Sequence, residues 1–259
     1  MRVLYIMGDQ RSGSTLADNL LAQLKGTVSI GELRLLKGHY DKVGPGLNWE
    51  WKCSCGTQVN QCLFWHEVLE LRQGLEVSET KLGKHSKIED LNAMKRLYHR
   101  VAEITNSELI VDSSKNIRQG LIMKRHMKQE MSIIIITKDF IEVAASQYFH
   151  RKKKGQRPLP LVIVIVSLIM QMRLRLLVYA GYGVEIKYSD LVCSEKREIW
   201  LENIIQHYCL ESSKIPDFFR SALASHTIAG TPSRFHDSPI EYKSKKSVFL
   251  REIFSKWRL

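Results

Sequence analysis

Between Arg2 and Leu24 the chain reads RVLYIM, then GDQRSGST, then LADNLLAQL. The run Arg2–Met7 is short, apolar and rich in β-formers, as expected of a buried strand. From Ser14 onward, Leu16, Leu20, Leu21 and Leu24 recur at helical spacing. A strand that turns through glycines into a helix aims backbone N–H groups at an anion. The glycines have the spacing of the phosphate-binding loop G-x-x-x-x-G-K-[ST]. Here Ser14 stands in the lysine's place, and Arg11 lies three residues earlier.

The same alternation continues along the chain. Thr27–Glu32, Glu108–Lys115, Ser132–Lys138 and Val184–Leu191 read as strands, the last running on into a loop. Ile88–Thr105, Asn116–Met127, Phe140–Lys152 and Glu195–Tyr208 read as helices. Strands alternating with helices predict an α/β fold: a parallel β-sheet flanked by helices, P-loop NTPase-like. In such sheets ligands sit at the carboxyl ends of the strands. Gly8–Thr15, Glu32, Asp112–Lys115 and Lys138 all fall there. We expect a single domain over 1–259, with 38–87 as a lid insertion whose first part, to residue 65, is irregular.

The chain carries 39 Lys+Arg against 27 Asp+Glu, a net charge of +12, which points to an anionic partner. It shows no recognisable nucleic-acid module, so nucleic acid is not expected. Val3–Gly8 is too short for the apolar core of a secretory signal. Leu159–Met170 is too short to span a bilayer and is expected to be a buried helix starting at Pro160, although its β-branched run also suits a strand, so no stable membrane span is predicted. Five cysteines, an odd number, do not suggest a secreted disulfide scaffold, and a cytoplasmic location follows as the expectation.

Several stretches together resemble the PAPS-dependent sulfotransferases. QRSGST resembles their 5′-phosphosulfate loop. IITKDFIEVAASQYFHRK, Ile135–Lys152, resembles their 3′-phosphate motif, with Lys138 in place of the usual arginine and Ser146 eight residues on. VDSSKN, YSDLV, HTIAGTPSRF and the pair CSCG and CLFW have counterparts in bacterial, tyrosylprotein and carbohydrate members. The resemblance implies transfer of a sulfuryl group from PAPS to a hydroxyl or amine acceptor, with no metal required. The acceptor would be a small molecule, a carbohydrate or a peptide. Arg11, Ser12, Gly13, Ser14 and Thr15 would hold the 5′-phosphosulfate end, with Arg11 also stabilising the transferring group. Lys138 and Ser146 would hold the 3′-phosphate, and HTIAGTPSRF would be the late loop that closes the cofactor site, with Arg234 reaching a cofactor phosphate or the purine. Glu32 would be the catalytic base. Lys115 would stabilise the leaving oxygen, with Asp112 as a possible ion-pair partner for it. The alternatives are a P-loop kinase, disfavoured by the missing lysine, and a degenerate, non-catalytic anion-binding protein.

Cys53, Cys55 and Cys62 have the spacing C-x-C-x₆-C, with His66 four residues beyond. Three thiolates and an imidazole suit a tetrahedral zinc site. Since C-x-C is tighter than the usual spacing, packed reduced thiols are the leading expectation, beside zinc or a disulfide. Trp49, Trp51, Phe64 and Trp65 flank the group and are expected to pack the lid. The basic run Arg151–Arg157 reads as a solvated loop, and Phe249–Leu259 as a basic amphipathic helix docked on the domain. Oligomeric state is left open by the sequence.

Overall fold

Strand β1 (Arg2–Gly8) forms the centre of a five-stranded sheet in the computed structural model. Residues 1–33, 53–69, 88–211, 218–219, 226–227, 238–240 and 244–255 are described. The other strands are β2 (Thr27–Gly31), β3 (Leu109–Lys115), β4 (Met131–Thr137) and β5 (Val184–Lys187). Their order is β2-β3-β1-β4-β5, and every pairing is parallel. This is the α/β architecture expected from the alternating pattern.

Parallel strands need crossovers, and helices supply them. Helix α1 (Ser14–Leu21) follows β1, and α2 (Leu63–Val68) and α3 (Ile88–Thr105) precede β3. Helix α4 (Ile117–Met127) joins β3 to β4. Helices α5 (Phe140–Lys153) and α6 (Pro160–Tyr179) precede β5. After β5 come α7 (Tyr188–Val192), α8 (Ser194–His207) and, near the end, α9 (Lys246–Ser255). A two-residue antiparallel pair, Phe218–Phe219 with Ser238–Pro239, stands apart from the main sheet.

Side chains alternate across a strand, so β1 feeds two cores. Val3, Tyr5 and Met7 pack with Met94, Tyr98 and Val101 of α3 and Met123 of α4. Leu4 and Ile6 pack with Leu20 and Leu21 of α1 and Leu201 of α8. Burial on both faces explains why β1 and β4 read as unbroken apolar runs. Helix α4 lies so close to β1 that a Cβ on Gly120 would stand 2.4 Å from Met7 Cε and 2.7 Å from Tyr5 Cε1.

Two local expectations are corrected. Within Val184–Leu191 the expected strand forms and ends at Lys187, but the loop expected after it is the short helix α7. The helix from Pro160 is not a buried one. It runs to Tyr179, long and apolar enough to cross a membrane by length and composition. Only Ile163, Ser167, Gln171 and Leu174 are buried, a stripe at i, i+4, i+8 and i+11. Leu161, Ile165, Ile169, Met172 and Leu176 are exposed. Aliphatic content all round a helix gives no sign of which line faces the sheet.

The order of strands along the chain reverses beside β1: the path runs out to β2, back to β3, then across to β4 and β5. At such a switch point the loops after neighbouring strands diverge and leave a crevice at their carboxyl ends.

Candidate functional site

The glycine loop occupies that crevice. Asp9 organises it: its backbone carbonyl accepts from the Ser12 hydroxyl at 2.8 Å and from the Ser12 N–H at 3.3 Å. Its carboxylate Oδ1 accepts from the Gln10 N–H at 2.6 Å. Burial pushes the Asp9 carboxyl up to about 6, and its Oδ2 has no partner among the described residues. Gly13 is the cap of α1 at φ 102°, a left-handed conformation that glycine adopts without strain. Ser14 and Thr15 therefore begin a helix whose first N–H groups have no intrahelical acceptor. Arg11 also has a positive φ, 69°.

Helix α5 clamps this loop from the β4 side. The Arg11 Nε–H donates to Ser146 Oγ at 3.2 Å. The Gln147 amide donates to the Gln10 carbonyl at 3.3 Å and lies 3.4 Å from Asp9 Oδ1. Asp139 caps α5, accepting from the N–H groups of Ile141 at 2.9 Å and Glu142 at 3.0 Å. Lys138 therefore stands outside the helix, between strand end and cap, with its N–H donating to Gln171 of α6 at 3.0 Å.

The Lys138 ammonium sits 3.9 Å from the ring centroid of Tyr188, a cation–π contact. The same ring covers Gly13, where a Cβ would stand 2.3 Å from Tyr188 Cδ2. Tyr188 thus links the glycine loop to Lys138. Burial lowers the pKa of both Lys138 and Arg11; at Lys138 the Glu142 carboxylate opposes that shift and the Arg11 charge adds to it. Two cations thus share a partly desolvated crevice, where each disfavours the charged form of the other. A cleft beside them is lined by Thr137, Lys138, Glu142, Arg175, Tyr188 and Ser189.

On the other side of β1, Glu32 follows β2 and Lys115 ends β3. The Lys115 ammonium donates to Glu32 Oε1 at 2.6 Å. Their side chains are only 14% and 10% exposed, so the pair is well shielded from solvent. Lys115 has φ 64°, a left-handed conformation unusual for a lysine. Asp112 is not its partner. That carboxylate lies inside β3, where it accepts from the Tyr98 hydroxyl at 2.6 Å and the Ser114 N–H at 2.8 Å. Asp112 and Lys115 are three positions apart on β3, so an extended strand turns them to opposite faces.

Arg11, Ser12, Gly13, Ser14, Thr15, Lys138, Ser146, Glu32 and Lys115 all lie at the carboxyl edge of the sheet or on the helix beside it. Arg234 lies outside the described residues, as do Trp49, Trp51 and most of the 38–87 insertion. Tyr188, Arg175 and Gln147 were not singled out from the sequence. Tyr188 carries the best signal, as the first residue of the YSDLV stretch that has family counterparts.

The cysteine group takes a form the spacing did not specify. Cys53, Cys55 and Cys62 gather around His226, with all four ligand atoms within 4.8 Å of one another. His66, expected as the fourth member, lies on α2 outside that group. The residue that joins is distant in sequence, so no local pattern marks it. All five cysteines are free thiols.

No family model matches the chain, and no curated protein matches it in sequence. Among solved structures it is similar to the sulfotransferase domain from the curacin biosynthetic pathway, with a TM-score of 0.54 and 16% identity over 98% of this chain and 97% of that one. It is also similar to a sulfotransferase from Alicyclobacillus acidocaldarius, with a TM-score of 0.47 and 13% identity over 84% of each chain. The first likeness, which spans both chains almost end to end, shows that this chain has the sulfotransferase fold.

Proposed function

We propose that the chain transfers the sulfuryl group of PAPS, 3′-phosphoadenylyl sulfate, to a hydroxyl or amine acceptor and releases 3′,5′-ADP. The observation that carries this reading is the join between Arg11 and Ser146, with Lys138 beside them. It ties the glycine loop to the middle of α5, close to Lys138 at the end of β4, which supports two adjacent anion grips. A donor with phosphate at both the 5′ and 3′ positions needs two such grips. The missing loop lysine fits the same donor, because PAPS has no β- and γ-phosphates to neutralise.

The roles we assign combine the family resemblance with these positions. Backbone N–H groups at the start of α1, with the hydroxyls of Ser12, Ser14 and Thr15, hold the 5′-phosphate. Lys138 and Ser146 hold the 3′-phosphate, and Arg234 is assigned to a cofactor phosphate or the purine. Arg11 faces the sulfuryl oxygens, where a guanidinium stabilises charge without giving up a proton. The acceptor oxygen attacks sulfur as the bond from sulfur to the 5′-phosphate oxygen breaks. That oxygen leaves with the electron pair, stabilised by Lys115, and the acceptor proton passes to Glu32. The Lys115–Glu32 contact keeps the base and the leaving-group cation adjacent. No step in this scheme calls for a metal. The free thiols accord with a reducing compartment such as the cytoplasm. The biosynthetic-pathway setting of the curacin domain favours a small-molecule acceptor here.

Binding separates this reading from its rivals. Calorimetric titration should show 3′,5′-ADP binding more tightly than 5′-AMP, and equal affinities would count against a PAPS site. Turnover of labelled PAPS, followed by mass spectrometry across acceptor classes, should fall by roughly 10²–10⁴ in Glu32→Gln. A folded Glu32→Gln or Arg11→Ala variant with undiminished transfer would remove that residue from the mechanism. Magnesium-dependent ATP turnover would favour a kinase instead.

A further inference from the structure

We propose that Cys53, Cys55, Cys62 and His226 bind one structural zinc ion that fastens the insertion to the C-terminal part of the chain. This inference is independent of sulfuryl transfer. It rests on four soft donors that converge from two stretches separated by 164 residues between Cys62 and His226.

The distances have the size of a coordination tetrahedron. With Zn–S bonds of about 2.3 Å and a Zn–N bond of about 2.0–2.1 Å, a regular tetrahedron has S···S edges of about 3.8 Å and S···N edges of about 3.6 Å. The observed Cys55 Sγ to Cys62 Sγ separation is 3.7 Å. His226 Nδ1 lies 3.7 Å from Cys53 Sγ and 3.2 Å from Cys62 Sγ. Sulfur and nitrogen are the donors zinc prefers. Four protein ligands leave no open position, as in structural rather than catalytic zinc sites.

The surroundings hold the donors in place. The Cys53 N–H donates to the Thr57 carbonyl at 2.8 Å, and the Gly56 N–H to the Cys53 carbonyl at 2.9 Å. These bonds close a tight turn that allows two cysteines one residue apart to serve one ion. Gly56 supplies the φ of 92° that the turn requires. The His226 ring stacks on Phe64 at 4.6 Å between centroids and 12° between planes. Ser54 and Thr227 bind each other across the join: the Ser54 N–H donates to the Thr227 carbonyl at 3.1 Å, and the Thr227 N–H to Ser54 Oγ at 2.9 Å. Outer partners of this kind orient metal ligands. Cys53 and Cys62 also pack in the apolar cluster with Leu33, Trp65 and Tyr98, so the ion would fasten a layer that covers one face of the sheet.

Binding would release the thiol protons to solvent and involves no redox change. A disulfide is the competing outcome. A bond between Cys55 and Cys62 needs the sulfurs at about 2.0 Å, and it would take two of the four donors out of the group.

The full chain, purified under reducing conditions without chelator, should contain one zinc per chain by plasma mass spectrometry. Cobalt added to the demetallated chain should give the visible bands of a tetrahedral thiolate site. Cys62→Ser and His226→Ala should each lose that equivalent, whereas His66→Ala and Cys209→Ser should keep it. Should the first two variants fail to fold, the wild type decides alone: chelator should lower its melting temperature, and added zinc should restore it. A metal-free chain that takes up neither zinc nor cobalt, a Cys55–Cys62 disulfide in the intact mass, or unchanged metal content in His226→Ala would overturn the assignment.

Discussion

Lys138 stands where the resemblance leads one to expect arginine, and its surroundings show how a lysine meets the demand. The ammonium lies against the face of Tyr188, in a site where burial works against its charge, the Glu142 carboxylate favours it and the nearby Arg11 charge opposes it. An incoming phosphate relieves that repulsion, so the lysine contributes most when the ligand is bound. Lys138→Ala should weaken 3′,5′-ADP binding by about tenfold to a hundredfold, the range of a lost charge-assisted hydrogen bond. Binding of 5′-AMP should change little, because it lacks the second phosphate. Lys138→Arg should retain affinity, since a guanidinium also stacks on an aromatic ring and adds a bidentate fork. Titration calorimetry with both nucleotides makes the comparison. Equal losses for the two ligands would place Lys138 outside the 3′-phosphate grip.

Asp112 joins two elements, accepting from Tyr98 of α3 while lying inside β3. Burial raises its carboxyl from 3.8 to about 6. The folded chain therefore keeps a proton that the unfolded chain has already released, and between those values it binds more protons than the unfolded chain. Stability must then fall as pH rises from about 4 to about 6, by up to roughly 3 kcal/mol from this group. Asp9 acts in the same direction over the same range. In Asp112→Asn the amide can face Tyr98 and Ser114 without titrating. Urea unfolding near pH 4 and near pH 7 should show a smaller difference in the variant than in the wild type, and identical differences would refute the assignment. This joint also marks a limit of sequence reading. Strands β1, β3 and β4 and helices α1, α3 and α5 were legible because their apolar periods are set by burial on the sheet. The residues at strand ends were legible for the same reason. The Arg11–Ser146 contact, the place of Tyr188 over Gly13 and the pairing of Asp112 with Tyr98 depend on how helices dock across the sheet, which no local period encodes. His226 is the extreme case, reaching its cysteines only through tertiary structure.

At the scale of the whole molecule, the least conventional surface is the outer side of α6. Its inner stripe is fixed by packing: Leu174 is 0% and Ile163 3% exposed, and Gln171 accepts from the Lys138 backbone. That bond connects the helix to the candidate site, so α6 has a structural task along one line only. The remaining faces carry exposed Ile165, Ile169 and Met172, and apolar side chains gathered on one surface raise the question of what covers them. Whether these side chains are solvated in the folded chain can be read from their energetic weight. Leu174→Ala should destabilise by about 2–5 kcal/mol, as for other buried leucines. Ile165→Ala and Ile169→Ala should each stay within about 0.5 kcal/mol, as surface substitutions do. Equilibrium unfolding of the variants in detergent-free buffer gives both numbers. Costs at Ile165 and Ile169 that match the cost at Leu174 would mean that the outer face is covered in the folded protein, and that α6 is held from both sides rather than from the sheet alone.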